Sequence, residues 1–205
     1  MRKTCMIVGL LLLSAGGAKA QDYPKVETAP AFMYVHTEPI FGSSDGLNCV
    51  GGGGTLAYNF TKYIGVAADM GGCKILNNTN GFGVSNTVSG NEFNYLFGPR
   101  ITYRSKSKFQ PFGEVNFGGT RVKVSCNSGT PCAGDSVSKN AFAMTAGGGF
   151  EIKLNKKFTL RPVQAEYLYT RFGNNCLLMA CTQNNNQNSF RLKSGVVINW
   201  GGSAK

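Results

Sequence analysis

Histidine and tryptophan are nearly missing from this chain: its 205 residues include one of each, His36 and Trp200. A zinc site would therefore have to be built almost wholly from cysteine, and base catalysis by an imidazole would rest on His36 alone. After Ala20 there is also no long apolar run. A membrane helix needs about 20 consecutive apolar residues, so none is expected. Acidic residues are few, ten against 21 lysines and arginines, for a formal net charge of +11. The glycine run Gly51 to Gly54 is followed neither by the lysine and serine or threonine of a phosphate loop nor by a helical pattern, so no cofactor is expected.

What is present begins with an export signature. Arg2 and Lys3 precede an apolar run from Met6 to Leu13, and Ala18-Lys19-Ala20 is a small-residue cleavage site ahead of Gln21. Residues 1–20 read as a cleaved signal segment, which leaves 185 of the 205 residues, with 18 basic and ten acidic side chains. That length suits one domain. A basic exported surface fits anionic lipid or acidic glycans. Export argues against nucleic acid, and lipopolysaccharide phosphates are the natural anions outside.

Six cysteines follow the signal segment: Cys49, Cys73, Cys126, Cys132, Cys176 and Cys181. An even number in an exported chain reads first as disulfides. Six cysteines admit many connectivities; the cheapest joins Cys126 to Cys132 and Cys176 to Cys181, each across one loop, and leaves Cys49 with Cys73. The competing reading is a metal site, but His36 lies far in sequence from most of these thiols.

Residues 21–30, with Pro24 and Pro30, read as a short lead. From Ala31 the chain falls into eight hydrophobic runs: Ala31 to Thr37, Leu47 to Asn59, Ile64 to Cys73, Glu92 to Arg104, Phe109 to Val124, Asn140 to Leu154, Phe158 to Thr170 and Phe190 to Trp200. Runs of about ten residues are the length of a tilted membrane strand. The fourth alternates most clearly, with Phe93, Tyr95, Phe97, Pro99, Ile101 and Tyr103 opposite Asn94, Leu96, Gly98, Arg100, Thr102 and Arg104. Pro99 cannot donate to a ladder and predicts a bulge or local irregularity. Arg121 and Lys123 share the apolar parity of the fifth run and must stand clear of acyl chains or follow a bulge. The connections after runs two, four and six are short, the others longer.

The last run sets Phe190, Leu192, Ser194, Val196, Ile198 and Trp200 against Arg191, Lys193, Gly195, Val197 and Asn199. Lys193-Ser194-Gly195-Val196-Val197-Ile198-Asn199-Trp200 resembles the terminal signal of bacterial outer-membrane barrels. With the signal segment, the Gly51 to Tyr58 strand ahead of a short basic turn, and Phe112-Gly113-Glu114, it makes residues 31–200 resemble the small eight-stranded outer-membrane β-barrel family that includes the transmembrane domain of outer membrane protein A. The resemblance implies an all-β, antiparallel, up-and-down transmembrane barrel crossing the bacterial outer membrane many times, with residues 201–205 as a tail. It also implies that Gly195, Ile198 and Trp200 address the barrel-insertion machinery.

In such a barrel the apolar faces meet lipid and the polar faces share the interior. The alternation aims Asp69, Arg100, Arg104, Glu114, Glu151, Lys153, Glu166, Arg191 and Lys193 inward. Asp69, Arg100, Glu114, Glu151, Glu166 and Lys193 are the expected interior network, with Arg100 and Glu114 as a coupled pair. Arg104, Lys153 and Arg191 are expected at the wet rims. Buried charges need partners, so the interior reads as plugged.

The leading expectation is a non-enzymatic, monomeric barrel that serves envelope structure or presents disulfide-stapled loops to a surface ligand. Its nearest partners would be outer-membrane lipid and lipopolysaccharide. Three alternatives stand beside it: a narrow pore, a lipid-modifying enzyme using His36 near Thr37 and Glu38, and a soluble lipocalin-like binder with its apolar faces turned inward.

Overall fold

The computed structural model describes residues 23–38, 46–75, 79–81, 84–86, 88–126, 136–172 and 186–201. Its strands are β1 (Val26–Thr37), β2 (Leu47–Asn59), β3 (Ile64–Ile75), β4 (Thr79–Gly81), β5 (Val84–Asn86), β6 (Val88–Thr102), β7 (Phe109–Cys126), β8 (Ser136–Lys153), β9 (Phe158–Arg171) and β10 (Asn186–Trp200). Eight of them close a barrel in the order β1, β10, β9, β8, β7, β6, β3, β2. Every pairing is antiparallel, and β4 with β5 forms a separate small ladder between β3 and β6.

Short polar turns make the tight ends because their side chains replace backbone partners. Thr61 Oγ1 accepts from the Ile64 amide at 2.9 Å, Ser105 Oγ from Ser107 at 3.1 Å, and Asn155 Oδ1 from Phe158 at 2.7 Å. The long connections gather at the other end.

The faces fall with polar groups inside. On β6, Ile101 is 63% exposed and its neighbour Arg100 is 1% exposed. Phe32, Leu56, Phe97, Phe117, Tyr167 and Phe190 all stand outward, while the bore holds Arg100, Arg161, Arg191 and their carboxylates. This is the membrane-barrel order, and the reverse of what a soluble barrel with an apolar ligand inside requires. The lipocalin-like alternative fails on that observation.

β1 starts at Val26, not Ala31, so half of the expected lead belongs to the barrel. Pro30 does not shift the register with β10, which is the same on both sides of it, Thr28 opposite Ile198 and Ala31 opposite Gly195. The irregularity expected at Pro99 produces no slip: Phe97 pairs with Phe117 and Arg100 with Glu114 in one unbroken register. The slip lies instead on β9. Both its neighbours record one extra residue there, β8 between Phe150 and Ile152 and β10 between Lys193 and Gly195. Pro162 sits inside it, where a missing N–H is harmless. On β7 there is no bulge, and Arg121 and Lys123 stand exposed on the long-loop extension of the strand.

Candidate functional site: the barrel interior

Below the long-loop end, the interior is filled in two layers. Met33, Val35, Leu96, Ala143, Leu168 and the Cys49–Cys73 disulfide form an apolar cluster. In β1, β3, β6, β8 and β9, the strands that supply both layers, the apolar residue lies nearer the long loops and the charged one nearer the short turns. Eight strands enclose a space that side chains can just fill, and here they do.

Among the described residues the charged layer contains ten buried ionisable groups in balance: Arg100, Arg104, Arg161, Arg191 and Lys193 against Glu27, Asp69, Glu114, Glu151 and Glu166. Such burial is tolerable only when each charge meets its counterpart. One group of contacts centres on Glu151, which accepts from Arg100 Nη2 at 2.6 Å and from Arg161 Nη2 at 2.7 Å. Both guanidinium groups lie against the Phe112 ring, at 4.3 Å and 4.6 Å from its centroid. Glu27 joins Arg100 at 3.5 Å, Arg104, and Asn59 Nδ2 at 3.0 Å.

A second group centres on β10. Arg191 meets Glu166 and Asp69, each at 2.5 Å, and Lys193 lies 2.9 Å from Asp69 and 3.3 Å from Glu166. Thr55 donates to Asp69 at 3.2 Å. Gln164 joins the two groups. Its carbonyl oxygen accepts from Arg161 at 2.8 Å, and its amide donates to Glu114 at 2.7 Å and Glu166 at 2.6 Å.

All six expected network residues lie in this layer, but two of the three residues expected at a rim do not lie there. Arg100 and Glu114 are cross-strand neighbours without an ion pair: Arg100 reaches Glu151, and Glu114 is held by Gln164, by Asn116 at 3.2 Å and by Lys193 at 4.0 Å. Arg191 is not at a rim but at the centre, fully buried. Arg104 is buried as well, its long side chain folding back to donate to Glu27 and, at 2.7 Å, to the Lys62 carbonyl. Lys153 is exposed. Two charged members escaped the sequence reading. Glu27 was hidden in the expected lead, and Arg161 has outward parity until the bulge at Pro162 turns it in. Pro162 was the available signal.

Cys49 and Cys73 are bonded, with Cα atoms 5.5 Å apart, and the bridge sits inside the bore rather than on a loop. Among the described residues these two cysteines and Glu92 form a cluster of metal-ligating types, but both sulfurs are committed to each other. Cys132, Cys176 and Cys181 lie outside the described residues, as does the side chain of Cys126. His36 is exposed and shares a 2.8 Å hydrogen bond between its Nδ1 and Asn48 Oδ1.

At the terminal strand, a Cβ on Gly195 would meet the Pro30 carbonyl oxygen at 2.1 Å, so glycine lets β1 and β10 close the barrel. Trp200 faces outward and donates to Thr28 Oγ1 at 3.0 Å across the same seam, with Ile198 half-buried beside it.

Residues 7–201 match the model of the outer membrane protein beta-barrel domain. The chain belongs to that family. Among solved structures of this outer-membrane barrel fold, Neisserial surface protein A is 12% identical with a TM-score of 0.59, covering 86% of this chain and 97% of its own. OprG from Pseudomonas aeruginosa is 13% identical at 0.52, covering 87% and 97%. Ail, the attachment invasion locus protein of Yersinia pestis, is 15% identical at 0.50, covering 87% and 98%. At these identities the likeness is one of fold. A search of curated proteins returns no significant match.

Proposed function

We propose that this outer-membrane barrel is a non-enzymatic, single-copy scaffold whose plugged bore holds its long loops for envelope structure or surface contact. The observation that carries this reading is the filled interior, a neutral ten-charge layer capped by an apolar one. A bore so filled suits rigidity better than passage. The Cys49–Cys73 bridge lies toward the loop end and would stiffen the base from which the loops rise. His36 engages an asparagine rather than a hydroxyl nucleophile, which favours a positional role over lipid chemistry. Outer-membrane lipid and lipopolysaccharide would surround the wall, and the Gly195, Ile198 and Trp200 strand would be handed over by the insertion machinery.

Planar-bilayer recording of the purified protein tests the plug. Wild type should show no steps above leak, because the charged and apolar layers close the bore in series. Steady wild-type conductance would overturn the scaffold reading in favour of a pore.

A further inference from the structure

Among the described residues the charges of the buried layer cancel, so the excess of positive charge there is carried by exposed and half-exposed side chains. At the short-turn end the described exposed or half-exposed charges are Lys25, Lys62, Lys106, Lys108, Lys153, Lys156 and Lys157, while the carboxylates Glu27 and Glu151 are buried and paired. The sequence puts a lysine in each tight turn beside the Thr, Ser or Asn that builds it. The long-loop end carries cations too, among them Lys74, Arg121 and Lys123, but these share their end with the exposed Glu38.

Aromatic contacts separate the two ends further. Lys25 Nζ lies 5.7 Å from the Tyr58 ring centroid, Lys62 5.5 Å from Tyr63, and Lys157 6.0 Å from Phe158 and 5.7 Å from Trp200. Among the described residues, every lysine placed over a ring stands at this rim. Outward aromatics mark the interface level of a membrane barrel, so these ammonium groups stand where headgroup phosphates lie.

Directly beside Tyr58 the outer wall is hollowed. A groove of about 450 Å³ has walls of Leu56, Tyr58, Val66 and Phe97, and a floor at Ala68 and the chain of Gly98. The hollow arises because Ala68, small and outward-facing, stands among the larger Leu56, Tyr58, Val66 and Phe97. One end of the groove is therefore apolar wall, and the end at Tyr58 carries Lys25.

We propose that the short-turn rim binds anionic phospholipid of the inner leaflet, one molecule of which seats an acyl chain in the Leu56–Tyr58–Phe97 groove and its phosphate at Lys25 and Lys62. Short turns of such barrels face the periplasm, so the lipid is the phospholipid of that leaflet, not lipopolysaccharide. The rim also opposes expulsion or tilting of the barrel, because lifting it would part seven ammonium groups from an anionic surface.

Native mass spectrometry of the folded full chain, offered equal phosphatidylglycerol and phosphatidylethanolamine, reads the selectivity directly. Wild type should retain phosphatidylglycerol preferentially, and Lys25→Gln with Lys62→Gln should lower the preference by about five-fold per lysine. Lys123→Gln, at the other end, should leave it unchanged, and Ala68→Leu should displace the most tightly held lipid. The preference should fade at high salt. Equal retention of the two lipids, or a preference that survives loss of Lys25 and Lys62, would overturn the proposal. So would a dimer that Ala68→Leu dissolves, since a second copy would then be the occupant of the groove.

Discussion

Arg161 and Gln164 stand three residues apart on one strand and both point into the bore, where Arg161 Nη1 donates to Gln164 Oε1 at 2.8 Å. In a regular strand an odd spacing puts side chains on opposite faces. The bulge at Pro162 absorbs the difference and brings a fifth cation to the network, matching its five carboxylates. The backbone irregularity is thus what evens cations and carboxylates within this layer.

Removing that cation should expose the dependence. Arg161→Leu strips Glu151 of one of its two arginines and Gln164 of its donor, leaving charge and amide buried. Breaking one side of a buried pair costs about 3–5 kcal/mol. Urea titration of the protein in lipid vesicles should show a loss of that order for Arg161→Leu, and about 0.5 kcal/mol or less for Arg121→Leu, whose side chain is exposed on the loop extension. Equal effects would mean that Arg161 is not integral to the network.

Pairing can be separated from proximity on β6. Arg100 is directly opposite Glu114 but bonded to Glu151. A double-mutant cycle of Arg100→Met with Glu151→Gln should give a coupling of about 1–3 kcal/mol, and the cycle with Glu114→Gln a smaller one. A larger coupling to Glu114 would place the ion pair across the strand ladder instead.

The alternation of Phe93 to Arg104 and of Phe190 to Trp200 was enough to tell strands, faces and barrel from the sequence, because a period of two maps each side chain to lipid or bore. The same parity correctly placed Asp69, Glu151, Glu166 and Lys193 inside. It failed where the period was broken or began earlier than expected: Arg161 needed a bulge that parity cannot locate, and Glu27 lay behind Pro30. Arg104 and Arg191 were aimed inward by parity, and only their expected place at the rim was wrong. Partner choice was illegible for a different reason. Arg100 could be aimed inward from its own strand, but its contact with Glu151 reaches past β7 to β8 and depends on the stagger and curvature of the sheet.

The interior disulfide should contribute stability without being required for closure. Cys49 and Cys73 are 24 residues apart in sequence and sit within the apolar cluster of Met33, Val35, Leu96 and Leu168, while the β2 to β3 ladder continues independently of them. Constraining a loop of that length is worth about 3 kcal/mol. The pair Cys49→Ala and Cys73→Ala should still migrate as a compact band when unheated. Its unfolding transition should fall by about that amount, and reductant should no longer shift it by way of this bridge. A variant unable to form the compact band would make the bridge a condition of folding.

Glycine at position 195 should be irreplaceable at the closing seam, in contrast to a glycine of the Gly51 to Gly54 run. A methyl at Gly195 would meet the Pro30 oxygen at 2.1 Å and the Ala31 Cα at 2.8 Å, both backbone atoms that can move only by parting β1 from β10. At Gly52 the nearest approach is 3.4 Å, to the Ala31 oxygen, an ordinary contact on an exposed face. Gly195→Ala should therefore reduce the heat-modifiable, closed fraction formed in vesicles, and Gly195→Val should abolish it. Gly52→Ala should fold like wild type. Because neither change alters the apolar and aromatic positions of the terminal strand, loss of folding without assembly factors would come from the seam itself. If Gly195→Ala instead folded fully in vesicles and failed only in cells, the glycine would be serving the insertion machinery rather than the contact with Pro30.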